Sequence, residues 1–247
     1  MRTFIGALVL FCSAAAGAQA PGKWPPDSLI NTQVIPRTTS VTQVWGSMRN
    51  IAGSLGVSCT YCHVGAERAP LAEVDFISDE KLTKLVARQM MRMVQEINQR
   101  LDTLPARSAA PLAVTCATCH RGVSRPVPLS TMIAETAIAS GADSAMRVYR
   151  SLRQRYFGRD SYDFGESSLN AAAFRTGRAG RVGDALALLN LNQSLFPEAV
   201  ALHISRGNIL LMRGDTVAAA RSFTEALRRD PSNDEARDRL RSIGPPP

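Results

Sequence analysis

Cys59-Thr60-Tyr61-Cys62-His63 and Cys116-Ala117-Thr118-Cys119-His120 are two copies of one pattern: two cysteines separated by two residues, with a histidine directly after the second. This spacing suits covalent haem attachment. Two thiols one helical turn apart can each add to a haem vinyl group, and the adjacent histidine then reaches the iron as proximal ligand. A disulfide would not require that histidine, twice over. A zinc site would have to gather pairs 57 residues apart, beyond zinc-ribbon spacing. Thioredoxin-like chemistry would use one such motif near a βαβ pattern, which the sequence lacks. The motifs therefore predict two covalently bound haem c groups, tethered by Cys59, Cys62, Cys116 and Cys119, with His63 and His120 as proximal ligands.

The sixth ligands are constrained by count. The chain has three histidines, and two are already committed, which leaves His203. Methionine is the alternative, and His/Met ligation raises a reduction potential. Working outward from Cys59, residues 40–55 carry Val41, Val44, Trp45, Met48, Ile51, Ala52 and Leu55 at helical spacing, and Gly56 reads as the stop. A helix and a tight turn into Cys59 would fold Met48 back over the haem face opposite His63. For the second haem, a helix is expected from about Asp79 to Leu101. Ser78 would be its N-cap, with Asp79 and Glu80 in its first turn. Val86, Met90, Met93, Val94, Ile97 and Leu101 define its apolar face, while Met91 falls with Lys84, Arg88, Gln95 and Asn98 on the polar side. Periodicity does not separate Met90 from Met93.

Met48-Arg49 through Leu55-Gly56-Val57-Ser58 into the first motif, Ala87-Arg88-Gln89-Met90-Met91-Arg92-Met93 through Ile97-Asn98, and Thr115 through Arg121-Gly122 together resemble the haem units of the photosynthetic reaction-centre cytochrome c subunit family. The likeness runs from about Ile35 to Pro128. It implies units made of a helix carrying the axial methionine, a turn and the Cys-x-x-Cys-His helix. Carried over residue by residue, it implies Met48 for the first haem and, through Ala-Arg-x-Met, Met90 for the second, with Met93 the alternative. The expected partners are a redox donor and acceptor, whose identity the resemblance does not name, and a membrane redox complex. The chain departs from the photosynthetic subunit in carrying two motifs where that protein carries four haems.

Arg125-Pro126-Val127-Pro128 interrupts regular structure. Beyond it a 34-residue period appears: Ala173, Gly180, Ala185, Leu189 and Pro197 align with Gly207, Gly214, Ala219, Phe223 and Pro231. With Ala226 this resembles the tetratricopeptide pattern. Residues 200–233 form a good repeat, 166–199 a diverged one, 132–157 an earlier helical pair, and 235–243 a capping helix. His203 occupies a packing position in the good repeat. Such arrays present a concave surface to a protein partner.

At the other end, Arg2, the apolar run Phe4–Cys12 and small residues through Ala20 read as a secretory signal peptide, cut after Ala18 or Ala20. The mature chain is expected to be soluble and periplasmic. Aromatics are only 6% of residues, a thin supply for a core that a macrocycle could supplement. The net charge of +8 is spread along the chain, which argues against nucleic acid. Arg147, Arg150, Arg153 and Arg155 are candidates for meeting an acidic partner. The expected organisation is a signal peptide at 1–18, a linker at 19–34, an all-α two-haem cytochrome domain at 35–128 and a helical-repeat domain at 129–247. The expected role is electron transfer rather than catalysis, because a closed iron binds no substrate. A two-haem peroxidase would need one open sixth site.

Overall fold

The computed structural model describes residues 23–105 and 112–244, so the expected signal peptide lies outside the described residues. The described chain is helical, with one isolated bridge between Val64 and Asp75 in place of any strand. Among the described residues nine α-helices follow in order: α1 Val41–Leu55, α2 Leu82–Asp102, α3 Cys116–His120, α4 Leu129–Tyr156, α5 Glu166–Arg178, α6 Val182–Leu195, α7 Val200–Met212, α8 Thr216–Arg229 and α9 Asp234–Ile243. None of them is long and apolar enough to cross a membrane. The residues divide into two compact units, the first made of positions up to Gly53 plus Val57–Thr115, the second of Ser54–Gly56 plus Cys116 onward.

In the first unit, α1 starts where Ser40 and Gln43 cap one another. Ser40 Oγ accepts from the Gln43 backbone N–H at 3.2 Å, and Gln43 Oε1 accepts from the Ser40 N–H at 3.1 Å. This reciprocal arrangement satisfies two N–H groups that a helix end leaves open. Within α1, a Cβ built on Gly46 or Gly53 would have no neighbour within 4 Å. Residues 23–34, expected to be a linker, are stitched to this unit. Trp24 packs on Trp45 and Phe76 with ring centroids 5.0 and 5.1 Å apart, and Asn31 Nδ2 donates to the Ile77 carbonyl and to Asp79.

α2 begins at Leu82, three residues later than its sequence suggests. The reason is the fate of Asp79. Its carboxylate is taken by Arg88 at 2.8 Å and Lys84 at 3.2 Å, so it cannot serve the first turn. The Arg88 guanidinium, with Lys84 and Asn31 adding, holds the Asp79 carboxyl well below the usual range. Lys84 and Arg88 are buried, and Lys84 Nζ also donates to the carbonyls of Phe76, Ile77 and Ser78. Lys84 and Arg88 of the polar face are thus turned into the protein, and Leu82, Leu85, Val86, Met90 and Met93 are exposed, while Val94, Ile97 and Leu101 further along are half-buried. Among the described residues of this unit, Val74 is the one buried hydrophobic side chain.

The second unit has the opposite make-up. Its helices bury Ile133, Tyr149, Leu169, Leu188, Leu189, Leu202, Ile209 and Phe223 almost completely. α4 is broken at Gly141 (φ 81°, ψ 166°), giving the two helices expected near 132–157, and Asp184 accepts from the freed Ala142 N–H at 2.7 Å. α5 and α6, then α7 and α8, are joined by three-residue turns, Ala179–Arg181 and Arg213–Asp215, as adjacent packed pairs require. The small residues of the 34-residue period sit where helices meet: a Cβ on Gly207 would fall 2.5 Å from the Phe223 ring.

Candidate haem-attachment sites

The first motif lies on a short 3₁₀ turn, Cys59–Tyr61, entered from Gly56 at φ 65°. Side chains from the start of α2 grip this turn. Lys81 Nζ donates to the Thr60 carbonyl, and Thr83 Oγ1 donates to the Tyr61 carbonyl at 2.6 Å. Burial pushes the Cys62 thiol up, against a hydrogen bond with Thr83 and the charge of Lys81. His63 packs on Phe76 at 4.9 Å, and its Nδ1 is buried with no hydrogen-bond partner among the described residues. Burial first, then the charges of Lys84, Arg88 and Lys81 set against Asp75, lower its pKa to about 4. The ring is therefore neutral near pH 7, as an iron ligand must be. Met48 is half-buried on α1 in the same unit as Cys59, Cys62 and His63.

The second motif is a single helical turn, α3, in the second unit. His120 Nδ1 lies 2.9 Å from the Val123 carbonyl. A carbonyl can only accept, so Nδ1 carries the proton and Nε2 keeps its lone pair for a metal. The chain then turns sharply at Arg121 (φ 46°) and Gly122 (φ 85°). The Gly122 N–H donates to the Ser54 carbonyl at 2.8 Å, and a Cβ on Gly56 would fall 2.1 Å from the Gly122 carbonyl oxygen. Only glycine fits that close approach at position 56.

Met90 and Met93 are exposed on α2 in the first unit, and Met91 is half-buried. Asn98, further along the same helix, clasps the backbone two residues before Cys116. Its Oδ1 accepts from the Val114 N–H at 2.7 Å, and its Nδ2 donates to the Val114 carbonyl at 2.9 Å. The helix that carries the candidate methionines therefore also holds the stretch of chain leading into the second motif.

The residues present fit the group their spacing implies. The four cysteines of the motifs are free thiols, a histidine follows each pair, and α2 exposes a stripe of apolar and thioether side chains. Among the described residues no group of three or more His, Cys, Asp and Glu gathers as an ordinary metal cluster. Sequence reasoning missed Lys81, Thr83 and Lys84, because a lysine or threonine on a helix reads as a solvated residue. His203 is buried in the second unit with its Nε2 unpartnered among the described residues.

Residues 69–154 match the family described as photosynthetic reaction centre cytochrome C subunit. The chain is similar to those subunits. The matched stretch holds α2 and the second motif, starts after the first motif and runs into α4. Cytochrome c-554 of Chloroflexus aurantiacus is 35% identical over 108 residues, covering 42% of this chain and 23% of that protein. The photosynthetic reaction center cytochrome c subunit of Thermochromatium tepidum is 37% identical over 92 residues, 34% of this chain and 21% of that one. Its counterpart in Roseobacter denitrificans is 38% identical over 68 residues, 28% and 17% respectively. The chain thus spans less than a quarter of the length of these three relatives.

Proposed function

We propose that the chain is an exported dihaem c-type cytochrome whose work is electron transfer, with its helical repeats docking a protein partner. The observation that carries this reading is the first unit's composition. It holds a Cys-x-x-Cys-His turn and a helix with five large apolar side chains exposed, yet among its described residues it buries one hydrophobic side chain. A polypeptide of this size with so little buried apolar surface lacks the means to hold itself together, and a covalently attached macrocycle would supply the missing apolar body. The relatives' names support the same reading. Organisation follows the same lines: a signal peptide ahead of the cytochrome region, and tetratricopeptide-like repeats after Pro128.

When bound, haem supplies one-electron redox chemistry. Cys59, Cys62, Cys116 and Cys119 would form the thioether tethers, and His63 and His120 would be proximal ligands. Met48 and Met90 would be sixth ligands, with Met93 the alternative to Met90. The Val123 carbonyl fixes the tautomer of His120, and Lys81 and Thr83 fix the carbonyls of the first motif. On the repeat side, Arg147 and Arg150 are exposed and face solvent, while Arg153 lies over the Phe157 ring at 4.2 Å and is half-buried. An acidic redox partner would meet the first two.

Intact-mass measurement after expression with a c-type maturation system tests the proposal. Two covalent haems per chain are expected. One or none would return a motif to disulfide or zinc chemistry. A Met90→Ala variant is expected to lose the spectral signature of His/Met ligation at one haem, and an unchanged spectrum would move that role to Met93.

A further inference from the structure

We infer that the two sites are built to different potentials: the Lys81–Lys84–Arg88 set makes the iron held by His63 the more easily reduced, so that at equilibrium the first electron resides there. This rests on the two-haem reading above. Lys84 carries the main part. Its ammonium is buried and fixed by the carbonyls of Phe76, Ile77 and Ser78 at 2.9, 3.0 and 2.7 Å, and the Phe76 ring packs on His63. Lys81 is bonded to the motif's own backbone at Thr60, and Arg88 is turned inward from the same helix to the Asn31 carbonyl at 3.0 Å and to Asp79. Three cations thus stand beside the first motif against two carboxylates: Asp79, paired with Lys84 and Arg88, and Asp75, which is itself held by the N–H groups of Ile77 and Ser78. Reduction removes one unit of positive charge from the iron. Cations fixed nearby favour that form, and buried ones are poorly screened by salt.

The second site differs on both counts. His120 Nδ1 donates to the Val123 carbonyl, and a hydrogen bond at the far ring nitrogen strengthens an imidazole as a donor to ferric iron. His63 Nδ1 has no such partner among the described residues. The cations beside the second motif in sequence, Arg121 and Arg125, are exposed and therefore screened. Charge and the hydrogen bonding of the ligand both set the iron of His63 above the iron of His120. In the exchange this implies, one electron leaves ferrous iron at His120 and is gained by ferric iron at His63, with no bond formed or broken and no proton moved.

Spectroelectrochemical titration of the holoprotein, with two haems verified by mass, tests the inference. Wild type should show two separate one-electron waves, and Met48→His should tag the higher by moving it downward. Lys84→Met should lower the higher wave alone, by about tenfold in its reduction equilibrium, ~59 mV for one electron. Asp79→Asn, which unshields Lys84 and Arg88, should raise the same wave. Coincident waves, a Lys84→Met shift confined to the lower wave, or no shift at all would overturn the inference. If Lys84→Met fails to retain both haems, Asp79→Asn decides alone, and a higher wave that stays or falls overturns it. A wild-type mass with one haem would instead sink the two-haem reading itself.

Discussion

The helices of the second unit turn their apolar residues inward, whereas α2 of the first turns its own outward and buries Lys84 and Arg88 in their place. Both patterns come from ordinary amphipathic sequences. In the repeats, Leu188 and Leu189 share a buried cluster with Ala172, Ala173 and Ala185, Phe223 packs on Gly207, and that contact removes enough apolar surface to hold the pairs together. In α2 the polar residues find satisfied partners inside, an aspartate and four backbone carbonyls. The apolar stripe is left exposed. The contrast teaches that the spacing of apolar residues locates a face of a helix but does not say which partner covers it.

The comparison can be broken most severely at the first motif. Replacing Cys59 and Cys62 together by alanine should cost the first unit its cooperative structure while leaving the second intact. Hydrogen exchange would show α1 and α2 losing protection and the helices from Leu129 onward keeping theirs. Equal protection in both units would mean that the first holds itself up without haem. Next in size, Phe223→Ala should destabilise the repeats by about 3–5 kcal/mol, because the ring is fully buried against Gly207. Denaturant titration followed by far-ultraviolet circular dichroism would measure it, and a loss below about 1 kcal/mol would show that the pocket collapses freely. A smaller effect is expected from Asn98→Ala. Loss of both bonds to Val114 should cost about 1–3 kcal/mol in the first unit and leave the repeats unmoved.

The smallest effect concerns His203. Burial first, then the charge of Arg229, lowers its pKa in the folded chain below the usual value of 6.5. Below pH 6.5 the unfolded chain therefore takes up a proton more readily than the folded one, and this contribution to stability is lost as the pH falls further. The melting temperature of the repeats should decline from about pH 7 toward about pH 5, and His203→Gln should flatten that slope. Glu225 is held down to about 2 by Arg228 and Arg229 and would act only at lower pH, so the two effects separate. An identical slope in wild type and variant would remove His203 from the account.

Much of this is legible in the sequence where spacing itself is the message. Two Cys-x-x-Cys-His motifs need no structure to be seen, and a 34-residue period of alanines and glycines marks helix crossings because little else fits between close helices. Gly56 as the end of α1 follows from the same kind of steric reading. The rest is hidden for physical reasons. Ser78-Asp79-Glu80 has the composition of a helix start, but Asp79 is drawn off by two cations that lie one and two turns further on. Lys84 and Arg88 do fall on the polar face that periodicity assigns them, and nothing in periodicity says that a polar face can point inward. The pairing of Trp24 with Trp45 and Phe76 joins positions too far apart for any local pattern to reveal.

The glycines of α1 and its stop carry a last consequence, for what a scan of every substitution along this helix would look like. Position 56 should reject all replacements whatever their size or charge, because the obstacle is the main chain of Gly122. Gly46 and Gly53 face open space as far as polypeptide is concerned, and alanine there should even favour the helix by ~1 kcal/mol. Intolerance at either of those two positions would then be a footprint, tracing the edge of the macrocycle on a surface that the protein's own atoms leave clear.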